Sequence, residues 1–90
     1  MNEEHERLLK EYAHALIVEV SAQDALDAAL SAAYISGAID GKNAEMRKAQ
    51  EFEATRAFKF KADNATVERK IIEARISLVK AELYSRAVTL

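Results

Sequence analysis

The chain carries two glycines, Gly37 and Gly41, four residues apart near its middle, and no proline. Proline breaks helices and interior glycine weakens them. Helix can therefore run almost uninterrupted on either side of residues 37–41, and a reversal belongs between them. The pattern predicts an all-α fold: two long antiparallel helices forming a helical hairpin, with a short helix at the bend.

The first helix is expected over about residues 3–36. Apolar residues recur at helical spacing from Leu8 through Leu9, Tyr12, Leu16, Val20, Leu26, Leu30 and Tyr34. Glu3, Glu4 and Glu6 suit the positive end of its dipole. The apolar face drifts around the helix, and Ser21-Ala-Gln-Asp24 matches a weak capping box. The helix is expected to continue through Ser21, with a restart there as the alternative. Ala28, Ala29, Ala32 and Ala33 make a smooth surface that another helix can approach closely.

Gly37 is the expected C-cap, the turn spans residues 37–42, and Asn43 is the N-cap of a short helix over about 43–55. Ala57-Phe-Lys-Phe-Lys-Ala62 alternates apolar and charged residues, which reads as helix or as an irregular joint. Asp63-Asn64 offers a further cap, and a second long helix is expected over about 64–88. It carries two apolar rows. Ile72, Ile76, Val79 and Leu83 form one, and Val67, Ile71, Ala74, Leu78 and Ala81 the other. One hairpin mate cannot cover both.

At 90 residues the chain is a single small domain, whose own core is expected to be marginal. It has no cysteine, hence no disulfide and no thiolate metal site. Oligomerisation is the remaining common source of stability. Two hairpins pairing into a four-helix bundle would enclose a core, so a homodimer or larger even-numbered oligomer is expected. Leu9, Tyr12, Leu16, Val20, Leu26, Ile72, Ile76, Val79 and Leu83 are the expected packing residues.

Charge is asymmetric along the chain. Residues 1–36 hold seven acids against Arg7 and Lys10, a balance of −5, whereas the whole chain is −2, leaving the remainder at +3. Opposite charge favours folding the halves together, although each exposed pair contributes only about 0–1 kcal/mol. No stretch approaches the roughly 18 apolar residues of a membrane span, and the acidic N-terminus lacks the basic start of an export signal. The expectation is a cytoplasmic protein with no membrane partner.

Catalytic and metal motifs fail on inspection. His5-Glu6 begins an H-E-x-x-H pattern, but Leu9 stands at the second ligand position. His14 falls on a different helical face from His5. Glu4 and Glu11 share a face, yet no Glu-x-x-His accompanies them. The serines lack a glycine-flanked elbow, and Gly37 to Lys42 is one residue short of a phosphate loop. The chain reads as non-enzymatic, with no catalytic residue, metal or cofactor.

One segment offers a binding alternative. Lys42, Arg47, Lys48, Arg56, Lys59 and Lys61 are interleaved with Phe52, Phe58 and Phe60, and lysines with exposed aromatics can hold single-stranded nucleic acid. Glu45, Glu51, Glu53 and Asp63 dilute the patch. A third reading is an oligomeric inhibitor or ligand sponge acting on a host protein.

The segment Gly41-Lys-Asn-Ala-Glu-Met-Arg-Lys-Ala-Gln50, set between two helical stretches, resembles a pattern in small helical-hairpin accessory proteins of tailed bacteriophages and prophages. In that pattern an acid often stands where this chain has Met46. The resemblance implies an accessory protein working in the host cytoplasm, near DNA-handling functions, and transfers no binding residue.

Overall fold

A computed structural model describes residues 2–89. It contains two helices, α1 (Glu3–Ile35) and α2 (Ala44–Thr89), packed antiparallel into a hairpin of 68 × 21 × 13 Å. With 46 residues against 33, α2 outruns its mate, and because Tyr12 pairs with Glu73 and Glu19 with Arg69, most of the extra length lies beside the turn and about one turn lies at the far end.

Both starts are capped as their sequences require. The Asn2 side chain accepts from the His5 backbone N–H at 3.1 Å, with Glu3, Glu4 and Glu6 in the first turn of α1. Asn43 caps α2 by accepting from the Met46 N–H at 2.9 Å. α1 runs unbroken through Ser21. Nothing there removes a backbone donor, and Ser21 is exposed.

The reversal is tied down mainly by α2. The C-cap of α1 is Ser36, not Gly37, because Ser36 keeps helical φ and ψ and its N–H still bonds the Ala32 carbonyl. Gly37, the next residue, adopts φ +82°, the left-handed conformation that ends helices, and the Ile39 N–H reaches back to the Ala33 carbonyl at 3.3 Å. Ile39 is buried and plugs the end of the hairpin. From the second turn of α2, Gln50 Oε1 accepts from the N–H groups of Asp40 (3.0 Å) and Gly41 (2.7 Å). Its Nε2 donates to Asp40 Oδ1 at 2.8 Å. Arg47 Nη1 donates to the Gly41 carbonyl at 3.2 Å. At Gly41 a side chain would meet Met46 Cβ at 2.7 Å and Arg47 N at 2.9 Å, so this glycine is required by close approach.

Two expectations are corrected. The short helix over 43–55 and the long helix over 64–88 are one helix, α2. Asp63 and Asn64 do not start a helix. Asp63 is in the middle of one, accepting from Lys59 Nζ one turn earlier at 3.5 Å. Of the two readings of the alternating stretch 57–62, the structure shows the helical one, with Ala62 buried and residues 57–61 exposed.

The seam between the helices follows a three-four spacing, the interval that keeps one helical face against a partner. On α1 it runs through His5, Leu8, Tyr12, Ala15, Glu19, Ala22, Leu26, Ala29 and Ala33, all buried or half-buried. On α2 it runs through Thr55, Ala62, Ala65, Arg69, Ile72, Ile76, Val79 and Leu83, likewise buried or half-buried. Leu8, Ile76 and Val79 form the aliphatic centre, with Tyr12, Ile72 and Leu83 packed against it. Leu16 is half-buried beside the seam, whereas Leu9 and Val20 lie on the surface of the hairpin at 44% and 58% exposure.

Candidate interaction surface

A polar layer interrupts the seam. Arg69 Nε donates to Glu19 Oε1 at 2.6 Å across the helices, and Arg69 Nη1 donates to Glu73 Oε1 at 2.7 Å. The Tyr12 hydroxyl completes the chain by donating to the same Glu73 oxygen at 2.9 Å. The hydrogen bond from Arg69, and next that from Thr66, holds the Glu19 carboxyl below its ordinary range. The bond to Glu73, with partial burial, raises the Tyr12 hydroxyl above its own. Near the turn the Tyr34 hydroxyl donates to Glu51, which raises its pKa in the same way. These residues fix register. A glutamate and an arginine at facing seam positions satisfy one another in a single alignment, and sliding either helix would take Glu19 away from Arg69, which would keep only Glu73 of its own helix.

Sequence reasoning missed this layer. The signal was available, since Glu19 and Arg69 fall on the three-four interval through Tyr12 and Leu26, and through Ala62 and Ile76.

The histidines do not meet. His5 sits in the seam with Nε2 buried and without a hydrogen-bond partner. His14 lines an open groove of about 440 Å³ between the helices, with Lys10, Glu11, Val18, Glu68 and Ile72. Among the described residues no group of three or more His, Cys, Asp or Glu side chains is placed to hold a metal ion. No helix among them is long and apolar enough to cross a membrane.

The basic residues of the middle segment are spread around the hairpin. Arg47 is engaged with the turn and Lys59 with Asp63. Lys59 and Lys61 project about 160° apart on α2 at roughly 100° per residue. Lys42 and Lys48 lie exposed at the turn end, and Arg56 one turn or more along the helix. Phe52, Phe58 and Phe60 are 56%, 41% and 67% exposed.

A long uncovered apolar stripe runs along the back of α2. Ala57, Phe60, Asn64, Val67, Ile71, Ala74, Leu78, Ala81, Ser85 and Val88 recur at alternating intervals of three and four. They form a second seam on the side of the helix turned away from α1. Phe60 (67%), Val67 (54%), Ile71 (47%), Leu78 (64%) and Val88 (64%) stand exposed along it. This contains the second apolar row read from the sequence, extended by a further turn or more at each end. The row is roughly 46 Å long at about 1.5 Å per residue, and a stripe of that length exceeds the scattered exposed apolar residues normal on a monomer's surface.

Compared with known proteins, the chain matches no family model, no curated protein and no solved structure. What the structure establishes is a small all-α protein built as a hairpin of two long antiparallel helices.

Proposed function

We propose that this protein is a non-enzymatic interaction module that works as an oligomer, with the back of α2 as its assembly surface. The observation that carries the reading is the second three-four seam. A helix needs one such seam to pack against one mate, and α1 already occupies the first. A helix whose opposite faces both carry the interval is built to be covered twice. The marginal core of a 90-residue hairpin gives the assembly an energetic reason as well.

Light scattering or sedimentation at tens of micromolar protein tests this, with Leu78→Asp as the probe. Leu78 is exposed in the hairpin, so the variant should keep its helical far-UV signal while its mass falls to that of a monomer. A wild type that is a folded monomer at that concentration would refute the reading.

The nucleic-acid alternative is favoured by one observation, the exposure of Phe52 and Phe60 among lysines. It requires binding that weakens steeply as salt rises, and a gel shift with single-stranded oligonucleotides at low salt decides it. Absence of a shift at micromolar protein removes it.

A further inference from the structure

Resting on the proposed assembly through the back of α2, a more specific geometry follows from the charges beside that seam. We infer that the occupant is a second copy of this chain, with α2 packed antiparallel on α2. In this register Ile71 lies opposite Ala74 of the second copy, Val67 opposite Leu78, and Asn64 opposite Ala81.

The flanking residues decide between the two orientations. On one side of the seam stand Lys61, Glu68, Arg75 and Glu82, alternating in sign; on the other stand Arg56, Asp63, Lys70, Ser77 and Tyr84. In a parallel, in-register pair the flanks meet crosswise at a spacing of five residues. Arg56 would then face Lys61 of the second copy, Asp63 would face Glu68, and Lys70 would face Arg75. By symmetry each like-charge contact occurs twice, against a polar gain from Asn64 meeting its own copy, while the apolar seam residues are covered in either orientation.

In the antiparallel pair each flank meets its own counterpart. Glu68 then faces Arg75 of the second copy and Lys61 faces Glu82, again each twice, so every charged contact on that flank is attractive. On the other flank Lys70 meets Ser77 and Asp63 meets Tyr84, and no like charges are opposed. The alternation +, −, +, − at seven-residue intervals is self-complementary only when one copy is reversed.

The reversed pairing also covers the last turns of α2. Tyr84 and Val88, near the far end of α2, are 73% and 64% exposed. They reach the region of Ala57 to Asp63 of the second copy, where Phe60 is exposed. The assembly is a row of four helices with the two α2 helices inside, distinct from a bundle closed around a common core.

Cysteine trapping in the full-length chain tests the orientation, aided by the absence of native cysteine. In the antiparallel pair, residue 64 of one copy lies about 26 Å along the axis from residue 64 of the other, well outside disulfide reach. Asn64→Cys and Ala81→Cys, each oxidised alone in a glutathione buffer, should give little disulfide dimer. Mixed before oxidation, they should give the 64-to-81 heterodimer. Self-linked Asn64→Cys would establish a parallel pair and overturn the inference while leaving assembly intact. A dimer that links in neither way uses another surface, which also overturns it. A monomer overturns the assembly reading too and leaves the back of α2 to a partner of different sequence.

Charge reversal gives an independent test with opposite signs for the two orientations. In the antiparallel pair Glu68→Arg creates two repulsive contacts and should weaken dimerisation about tenfold, and Glu68→Arg combined with Arg75→Glu should restore it. In a parallel pair Glu68→Arg would relieve the repulsion with Asp63 and tighten the dimer. Tightening therefore refutes the inference.

Discussion

Leu8 and Leu9 are chemically identical neighbours, and the hairpin assigns them opposite energetic roles. Leu8 is 2% exposed between Ile76 and Val79, while Leu9 is 44% exposed. Leu8→Ala removes three buried carbons, worth about 2.4 kcal/mol of transfer free energy at about 0.8 per methylene group. It also leaves a cavity. Two helices without a further layer can collapse around that space, so the total should be about 2.5–3.5 kcal/mol, toward the low side of the core range. Leu9→Ala deletes a side chain already in contact with water and should cost under about 1 kcal/mol. The stability of a chain this size is only roughly 5–13 kcal/mol, so the first loss is a large fraction of it. Urea unfolding followed by far-UV circular dichroism, at one fixed protein concentration because assembly couples to stability, measures both. At a slope of about 1–1.5 kcal/mol per molar urea, the Leu8→Ala midpoint should fall by about 2 M with the slope unchanged. A Leu9→Ala variant that loses as much as or more than Leu8→Ala would refute the placement of the seam.

The same contrast holds at residues 78 and 79 on α2. Val79→Asp places a charge in a position 5% exposed against Leu8 and should abolish folding of the hairpin, whereas Leu78→Asp should leave helicity intact; thermal melts of both distinguish them. Gly41→Ala should cost about 1–3 kcal/mol, because its Cβ would press on the backbone of the first turn of α2. Gly37→Ala meets no neighbour and should cost about 1–2 kcal/mol from the left-handed backbone alone, and the ranking is read from melting temperatures. Glu19 contributes stability that is fully present above its ordinary value of 4.5 and lost as pH falls through its lowered folded value. Glu19→Gln should therefore be less stable than the wild type at pH 7, with the difference narrowing as pH falls below 4.5 in urea titrations.

Much of the hairpin was legible because its signals are local. The lack of proline, the placement of Gly37 and the Asn43 cap each act within a few residues, and each appears in the structure where its chemistry puts it. Asp63-Asn64 misled because the same residue types serve as caps or as tolerated exposed positions within a helix, and the choice depends on whether the backbone on both sides is already helical. The seam of α1 was hidden for a different reason. His5, Ala15, Glu19 and Ala22 occupy it between Leu8, Tyr12 and Leu26, so a reading weighted by hydrophobicity adds Leu9, Leu16 and Val20, which lie beside it or on the surface of the hairpin. Alanine gains little from burial but lets helices approach closely, and that benefit exists only once the mate is present. Gln50 was invisible for the same reason, since its three hydrogen bonds join α2 to a turn about ten residues earlier.

The distribution of side-chain size along the seam has a further consequence. Near the turn the contact is made mostly by the small Ala29, Ala33, Thr55 and Ala62, with Leu26 the one large seam residue in that half of α1, while the bulky Leu8, Tyr12, Ile72, Ile76, Val79 and Leu83 lie toward the far end. The covalent turn acts as a tether that keeps nearby segments at high effective concentration, an advantage that fades as the intervening chain lengthens. Where the tether works, small residues suffice; where it does not, the chain supplies a clasp. Amide hydrogen exchange should therefore report nearly even protection from the turn out to Leu8, in place of the progressive fraying expected of a hairpin closed only at its bend.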